Sequence, residues 1–211
     1  MLYKYRTLDN FQFVLDIIVN QRLFTATFEN MNDPMEGYYT ADPDIPESSI
    51  DALREHHKSL RFCSSSKYHN NPLMWAHYAN GNRGIAIGFE TKKGTEFREI
   101  IYGSHSHLVS SKPTTIERAK DVLCFKAGFW RYEDEVRIFV DTEDKNIKGN
   151  YVYVSVKEVI FGERADRSQK ALLKSIVRKV DPKIKIIEWD HTMHYAYSEP
   201  IFNIDSDRDK G

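Results

Sequence analysis

Short β-rich runs and amphipathic helical segments alternate along this chain without a regular spacing. A doubly wound sheet needs a repeated strand–helix–strand order, and that repeat is missing from the sequence. The sequence therefore predicts the α+β class. Because 211 residues suit one domain, we expect a single domain over residues 1–202 and a flexible polar tail over 203–211.

Residue preferences place the individual elements. Runs rich in β-branched and aromatic residues predict strands at 3–6, 23–28, 61–65, 84–90, 135–140, 151–156, 158–161, 183–189 and 195–202. Apolar residues at helical spacing predict helices at 11–18, 49–60, 72–81, 113–123 and 166–179. Asn71 before Pro72 is a helix start, since Asn can cap and Pro loses nothing at the first helical position. Residues 91–111 are interpreted as an irregular strand pair.

Composition excludes several classes of protein. The 30 basic and 31 acidic residues give a net charge of −1, so any contact with nucleic acid must come from a local patch. The two cysteines, Cys63 and Cys124, cannot form a disulfide framework, and their spacing does not suggest zinc. The first twenty residues lack a signal-peptide core, and no apolar run approaches the ~20 residues of a membrane span. We therefore expect a cytoplasmic protein without membrane contact.

The motif LYKYR forms the first predicted strand. Because side chains alternate between the faces of a strand, Lys4 and Arg6 should lie on one face and Tyr3 and Tyr5 on the other. Arg suits bidentate contact with phosphate. Two interpretations stay open, a phosphate-binding strand and an edge strand with solvated cations.

The motif MNDPMEG covers residues 31–37. Asn, Asp and Pro favour a tight turn, which explains most of the motif by loop chemistry alone. Turn geometry does not explain Glu36. This residue is therefore kept as a candidate for chemistry.

The run RFCSSS is followed by NNPLMWAHYANGNRG. Ser64 and Ser65 end a predicted strand, and helical spacing puts Trp75 and Tyr78 near one face of the next helix. These side chains could line a ligand site, with Arg83 gripping an anion. The alternative is a helix that packs Trp75 into the core and a solvated Arg83.

The motif FWRYEDEVRIF is the sharpest cluster. If the strand starts as early as Tyr132, its alternation puts Glu133, Glu135 and Arg137 on one face. Neighbouring carboxylates repel each other, so the pKa of one can rise, and such pairs perform acid–base or cation-stabilising work. A surface ladder of charges is the alternative interpretation.

Two further patterns give weaker evidence about function. The histidine pairs, His105 with His107 and His191 with His194, lack a partner at a familiar metal spacing, so no metal site is expected. The predicted helix at 166–179 has a basic face that could meet nucleic acid, although such faces are usually solvated.

Taken in order, LYKYR, NDPME, CSS with LMWAHYANGNRGIAIGF, FWRYEDEVRI and VIFG resemble a bacterial family labelled as a domain of unknown function. That family in turn looks like a divergent branch of the ADP-ribosyltransferase superfamily. The resemblance implies a split, strand-rich sheet around an NAD cleft. It implies an Arg, His or Tyr on the first strand, a Ser or Tyr on a central element and a Glu on a late strand.

The resemblance also implies roles for residues of this chain. Arg6 with Tyr5 and Lys4 would bind pyrophosphate or ribose, Ser64 or Ser65 would orient the ring, and Tyr78 would stack on nicotinamide. Trp75 and Arg83 would complete the NAD contacts. Glu135 would stabilise the oxocarbenium-like ribose, and Glu133 would deprotonate the acceptor.

The leading hypothesis is an NAD-dependent ADP-ribosyltransferase, with NAD as substrate, that serves as the toxin of a bacterial phage-defence or toxin–antitoxin system. Its target would be nucleic acid or protein, and an antitoxin or chaperone would be its partner. Two alternatives come from other classes. One is a non-catalytic module that binds a nucleotide or nucleic acid, and the other is a metal-dependent nuclease that uses Glu36, Glu133 and Glu135.

Overall fold

A computed structural model describes residues 1–103, 105–110, 112, 114–140 and 150–190. The strands are β1 (Leu2–Arg6), β2 (Arg22–Phe24), β3 (Tyr39–Ala41), β4 (Arg61–Ser66), β5 (Ile85–Thr91), β6 (Phe97–Glu99), β7 (Ile101–Gly103), β8 (Ser106–Leu108), β9 (Phe125–Ala127), β10 (Glu135–Val140), β11 (Tyr151–Phe161) and β12 (Lys185–Glu188). The helices are α1 (Phe11–Asn20), α2 (Glu47–Ser59), α3 (Pro72–Tyr78), α4 (Ile116–Val122) and α5 (Arg167–Val180), with 3₁₀ turns at Phe28–Asn30 and Gly128–Glu133.

Most predicted elements lie within one to three residues of their observed positions. Three differ. The run 23–28 gives only the short β2 and then a 3₁₀ turn, and the pair 151–156 and 158–161 is one strand, β11, with a register shift between Val156 and Glu158. The irregular stretch 91–111 holds the three short strands β6, β7 and β8. The predicted strand 195–202, the tail 203–211 and Pro113 lie outside the described residues.

Local signals account for two helix starts. Asn71 Oδ1 accepts a hydrogen bond from Leu73 N at 2.9 Å, as expected for a residue that caps a helix with Pro at its first position. Asp166 caps α5 through the backbone N–H groups of Ser168 and Gln169. Asn10 precedes α1, but its side chain makes no capping hydrogen bond.

The main sheet is mostly antiparallel. Its strand order is β12-β11-β5-β1-β4-β10-β6, and β2 adds to β11. Parallel pairing occurs between β11 and β12 and in the two small sheets β3-β8 and β7-β9. The described residues thus form a mixed α/β domain with a mostly antiparallel sheet, in agreement with the predicted mixture of strands and helices.

Apolar clusters cover the sheet. The largest lies where α1 and α5 pack on β5 and β11, and a second joins α2 and α4 to β4 and β10. A third cluster holds Trp75 of α3 against Tyr3 and Tyr5 of β1. In the part of the chain that is described, no helix is long and apolar enough to cross a membrane.

A gap opens in the sheet between β1 and β4. Strand β1 pairs with β5 along its whole length, from Leu2 to Arg6. With β4, however, its registered pairing is limited to Tyr3 and Ser66, whereas β4 pairs with β10 over all six residues. The two strands therefore separate beyond Tyr3, and the space between them becomes a cavity.

Candidate functional site

The cavity has a volume of about 310 Å³ and lies at the gap between β1 and β4. This volume is at the lower end of the roughly 300–1,000 Å³ that is common for small-molecule sites. The described residues that line it include four cations and three carboxylates, so the cavity suits an anionic ligand. They are Lys4, Arg6, Lys126, Arg137, Glu36, Glu133 and Glu135.

Strand β1 contributes Lys4, Tyr5 and Arg6 to the lining. Lys4 Nζ donates a hydrogen bond to the carbonyl oxygen of Ser64, so its ammonium group bridges the gap. Burial lowers the pKa of Lys4, and the charge of Arg6 acts in the same direction. Arg6 Nε is buried without a hydrogen-bond partner among the described residues. An anion in the cavity would satisfy that donor.

Strand β4 contributes Ser64 and Ser65. Ser65 Oγ donates a hydrogen bond to the carbonyl oxygen of Val136 at 2.9 Å, which ties β4 to β10. Ser64 Oγ is buried. Ser64 lies opposite Arg137 in the ladder, so both side chains share one face of the sheet. The Ser64 hydroxyl lies near the Glu135 carboxylate and helps to lower its pKa, so of the two serines Ser64 is the one that faces the charged part of the cavity.

The two glutamates reach the cavity by different routes. One strand would carry both only if it began before Glu133, and it does not, because Glu133 ends the 3₁₀ turn and Asp134 then adopts a left-handed conformation with φ of 42°. Strand β10 begins only at Glu135. The turn at Asp134 nevertheless brings Glu133 back to the cavity, so the carboxylates meet without strand alternation.

A chain of buried ion pairs joins these carboxylates. Lys126 Nζ contacts Glu133 Oε2 and lies 3.0 Å from Glu135 Oε2. Arg137 Nε donates to Glu135 Oε1 at 2.8 Å, and the Arg137 guanidinium also holds both oxygens of Glu36. All five side chains are at most 9 % exposed. Opposite charges alternate along the chain, which keeps it intact in a poorly solvated place.

The two glutamates differ in protonation. Burial acts to raise the pKa of Glu135, but the charges of Arg137 and Lys126 outweigh it and hold that pKa well below its usual range. Burial raises the pKa of Glu133, and Lys126 offsets this only in part. Glu135 is thus a fixed negative charge, whereas Glu133 can take up and release a proton closer to neutral pH.

Helix α3 places only one of its two candidate side chains in the cavity. Tyr78 lines it, and Tyr78 OH donates a hydrogen bond to Glu133 Oε1. Trp75 is fully buried in the third apolar cluster, where its indole N–H donates to the carbonyl oxygen of His69 at 2.7 Å. Trp75 is therefore a core residue, and the prediction that it contacts the ligand is wrong.

Arg83 does not line the cavity either. It is exposed in the turn between α3 and β5, outside the set of lining residues. This turn positions β5 through the backbone bond from Gly84 N to the carbonyl oxygen of Ala79. The alternative interpretation, a solvated loop arginine, is the one the structure favours.

Among the charged lining residues, Glu36, Lys126 and Arg137 were not predicted to take part in the NAD site. Glu36 carried a signal, because turn geometry left it unexplained. Arg137 carried one too, since it lies two residues after Glu135 on the same strand. Lys126 carried none, because only the folded chain brings the short β9 beside the glutamates.

Within the described ranges, no group of three or more His, Cys, Asp or Glu side chains is placed to hold a metal ion. Lys126 and Arg137 already occupy oxygens of Glu36, Glu133 and Glu135. Ion pairs between side chains therefore hold these carboxylates in a cavity whose lining contains more cations than carboxylates.

Comparison of the chain with protein-family models, with curated proteins and with solved structures finds no match.

Proposed function

We propose that this protein is an NAD-dependent ADP-ribosyltransferase. The observation that carries the proposal is one cavity where Arg6, Ser64 and Glu135 converge from the neighbouring strands β1, β4 and β10, with Glu133 of the preceding 3₁₀ turn beside them. That order, first strand, central strand and late strand, is the order that the resemblance implies. We also propose that the gap between β1 and β4 corresponds to the split sheet of that superfamily.

The proposed chemistry begins with cleavage of the bond between nicotinamide and its ribose. Nicotinamide leaves as a neutral base, and the ribose carbon becomes oxocarbenium-like. A permanently ionised Glu135 would stabilise that positive charge, as carboxylates do in glycoside cleavage. The acceptor then bonds to this carbon and loses its proton to Glu133, whose raised pKa suits a general base.

The remaining lining residues would hold NAD. The unpaired Arg6 Nε, with Lys4 and Tyr5 beside it, would bind the pyrophosphate. The Ser64 hydroxyl, beside Glu135, would orient the ribose, and the ring of Tyr78 would stack on nicotinamide. Tyr78 also holds Glu133 in place, so binding and proton transfer share this residue.

The other two hypotheses are less well supported. A nuclease would need Glu36, Glu133 and Glu135 to bind a divalent ion together, but Lys126 and Arg137 separate these carboxylates. A binding module needs no fixed negative charge and no adjacent base. The toxin role is part of the same proposal and predicts growth arrest on expression, which a partner protein would relieve.

Incubation with NAD labelled on the adenylate tests the proposal. We expect release of nicotinamide and attachment of label to an acceptor, equally with and without a chelator. Glu55→Gln is a matched control, since it removes an exposed carboxylate on α2 and should leave the rate unchanged. Binding of NAD without turnover would indicate the binding module, and chelator-sensitive cleavage of nucleic acid would indicate the nuclease.

A further inference from the structure

Arg137 is the most enclosed charge of the cavity, with a side chain that is 0 % exposed. Its guanidinium grips both oxygens of Glu36 on one side and Glu135 Oε1 on the other. It also donates to the carbonyl oxygen of Leu123. A planar fork with this many fixed partners has one orientation, so it fixes the groups that it binds.

Hydrogen bonds within its own turn also fix the position of Glu36. Its backbone N–H donates to the carbonyl oxygen of Asp33 at 3.0 Å, and Asp33 Oδ1 accepts from Met35 N at 2.9 Å. Gly37 follows with φ of +71°, and a Cβ there would lie 3.3 Å from Leu123 Cδ2. The MNDPMEG turn therefore delivers one carboxylate to Arg137 and leaves little room for another arrangement.

We propose that Glu36 and Arg137 are a positioning pair, which orients the carboxylate of Glu135 toward the ligand. The proposal rests on the function proposed above, since Glu135 is the charge that faces the reacting ribose. Arg137 fixes one oxygen of Glu135 and Lys126 fixes the other, so the plane of the carboxylate is set from two sides. The motif MNDPMEG thereby becomes part of the active site although Glu36 performs no chemistry.

Stability alone does not account for this pair. Burying charges is costly, and apolar side chains of similar volume usually stabilise a core as well as a buried ion pair does. Here the ion pair lies at the wall of the cavity, and its Arg137 also binds the carboxylate of Glu135. A site held this rigidly is what a reaction sensitive to small displacements requires.

Several ionisable groups face Glu135 from the elements packed around it, and each contributes to its titration. They are Lys4 on β1, Glu36 on its turn, Tyr102 on β7, Cys124 before β9, Lys126 on β9, Glu133 on the 3₁₀ turn and Arg137 on β10.

The test compares Arg137→Gln with the double variant Glu36→Gln/Arg137→Gln. The single variant leaves the buried Glu36 without its cation and Glu135 with Lys126 alone, and it is expected to fold poorly. The double variant restores the balance of charge and should fold. If the pair positions Glu135, the folded double variant should still lose on the order of a hundredfold in kcat, with KM for NAD changed by less than about threefold.

The pH profile gives a readout that a structural role would not move. The profile is measured on the residual nicotinamide release of a Glu133→Gln background, so that Glu133 does not titrate. Without Arg137, burial is opposed by less positive charge, so the pKa of Glu135 rises and the acid limb of this release shifts to higher pH. Arg54→Gln, on the exposed face of α2, is the matched control and should leave the limb unchanged. Full recovery of kcat in the double variant would overturn the proposal.

A titration separates this inference from the proposed function. The carboxyl carbon of Glu135, assigned with Glu135→Gln, is followed by NMR against pH in the wild type and in the double variant. A higher midpoint in the variant supports the pair even in a protein that does not cleave NAD, whereas failure of NAD cleavage in the wild type contradicts only the proposed function. An unchanged midpoint would overturn the positioning role.

Discussion

Trp75 should be worth several kcal/mol of stability. Its indole is fully buried, stacks on Trp189 with ring centroids 5.5 Å apart and meets Tyr5 edge-on at 5.3 Å. Replacing a buried aromatic residue by Ala typically costs ~3–5 kcal/mol. A protein of this size loses about 2–4 °C in Tm for each kcal/mol. We therefore expect Trp75→Ala to lower Tm by about 6–20 °C in a calorimetric scan.

The same helix offers a control for that experiment. Leu73 lies two residues earlier and is 48 % exposed, so Leu73→Ala should cost less than about 1 kcal/mol. A Tm loss for Trp75→Ala no larger than that for Leu73→Ala would refute the assignment of Trp75 to the core. Trp75 would then again be a candidate for ligand contact.

Three further predictions concern pH, backbone space and binding. Burial lowers the pKa of His57 from 6.5 to about 4, so the unfolded chain binds more protons than the folded protein as the pH falls. The free energy of unfolding should therefore fall by about 3 kcal/mol from pH 7 to pH 4. Urea titrations should show that most of this decrease is lost in His57→Leu. Gly84→Ala would put a Cβ 2.2 Å from the carbonyl oxygen of Arg6 and should cost about 1–3 kcal/mol or more by the same assay, whereas Gly103→Ala meets nothing within 4 Å and should cost little. Tyr78→Ala should weaken NAD binding by about tenfold in calorimetric titrations, because one stacked ring commonly contributes ~1–3 kcal/mol, and unchanged affinity would remove Tyr78 from the site.

Local patterns predicted most of the helices and strands because each of these elements depends mainly on residues that are adjacent in the sequence. Asn71 and Pro72 mark the start of α3, and the predicted bounds of β10 agree with the structure at 135–140. The register shift inside β11 could not be predicted, because it depends on how that strand meets β5. Residue propensities carry no information about which strand is the partner.

The candidate site was predictable only in part, for a related reason. Arg6, Ser64 and Glu135 end up together because β1, β4 and β10 are neighbours, which chain order alone does not reveal. Glu133 reaches the cavity by a left-handed turn at Asp134, a conformation that strand alternation cannot anticipate. The residue type alone could not show whether Trp75 packs in the core or contacts a ligand, because an indole ring suits both roles.

The rate of nicotinamide release by Glu135→Gln and Glu133→Gln tests the central claim most directly. Glu135→Gln keeps the shape of the side chain but loses its charge, so release and transfer should fall on the order of a hundredfold or more while NAD affinity is largely kept. Glu133→Gln should impair transfer but leave residual release, because water can replace the acceptor. Full activity in Glu135→Gln with none in Glu133→Gln would reverse the two roles, and wild-type rates in both variants would contradict the transferase account itself.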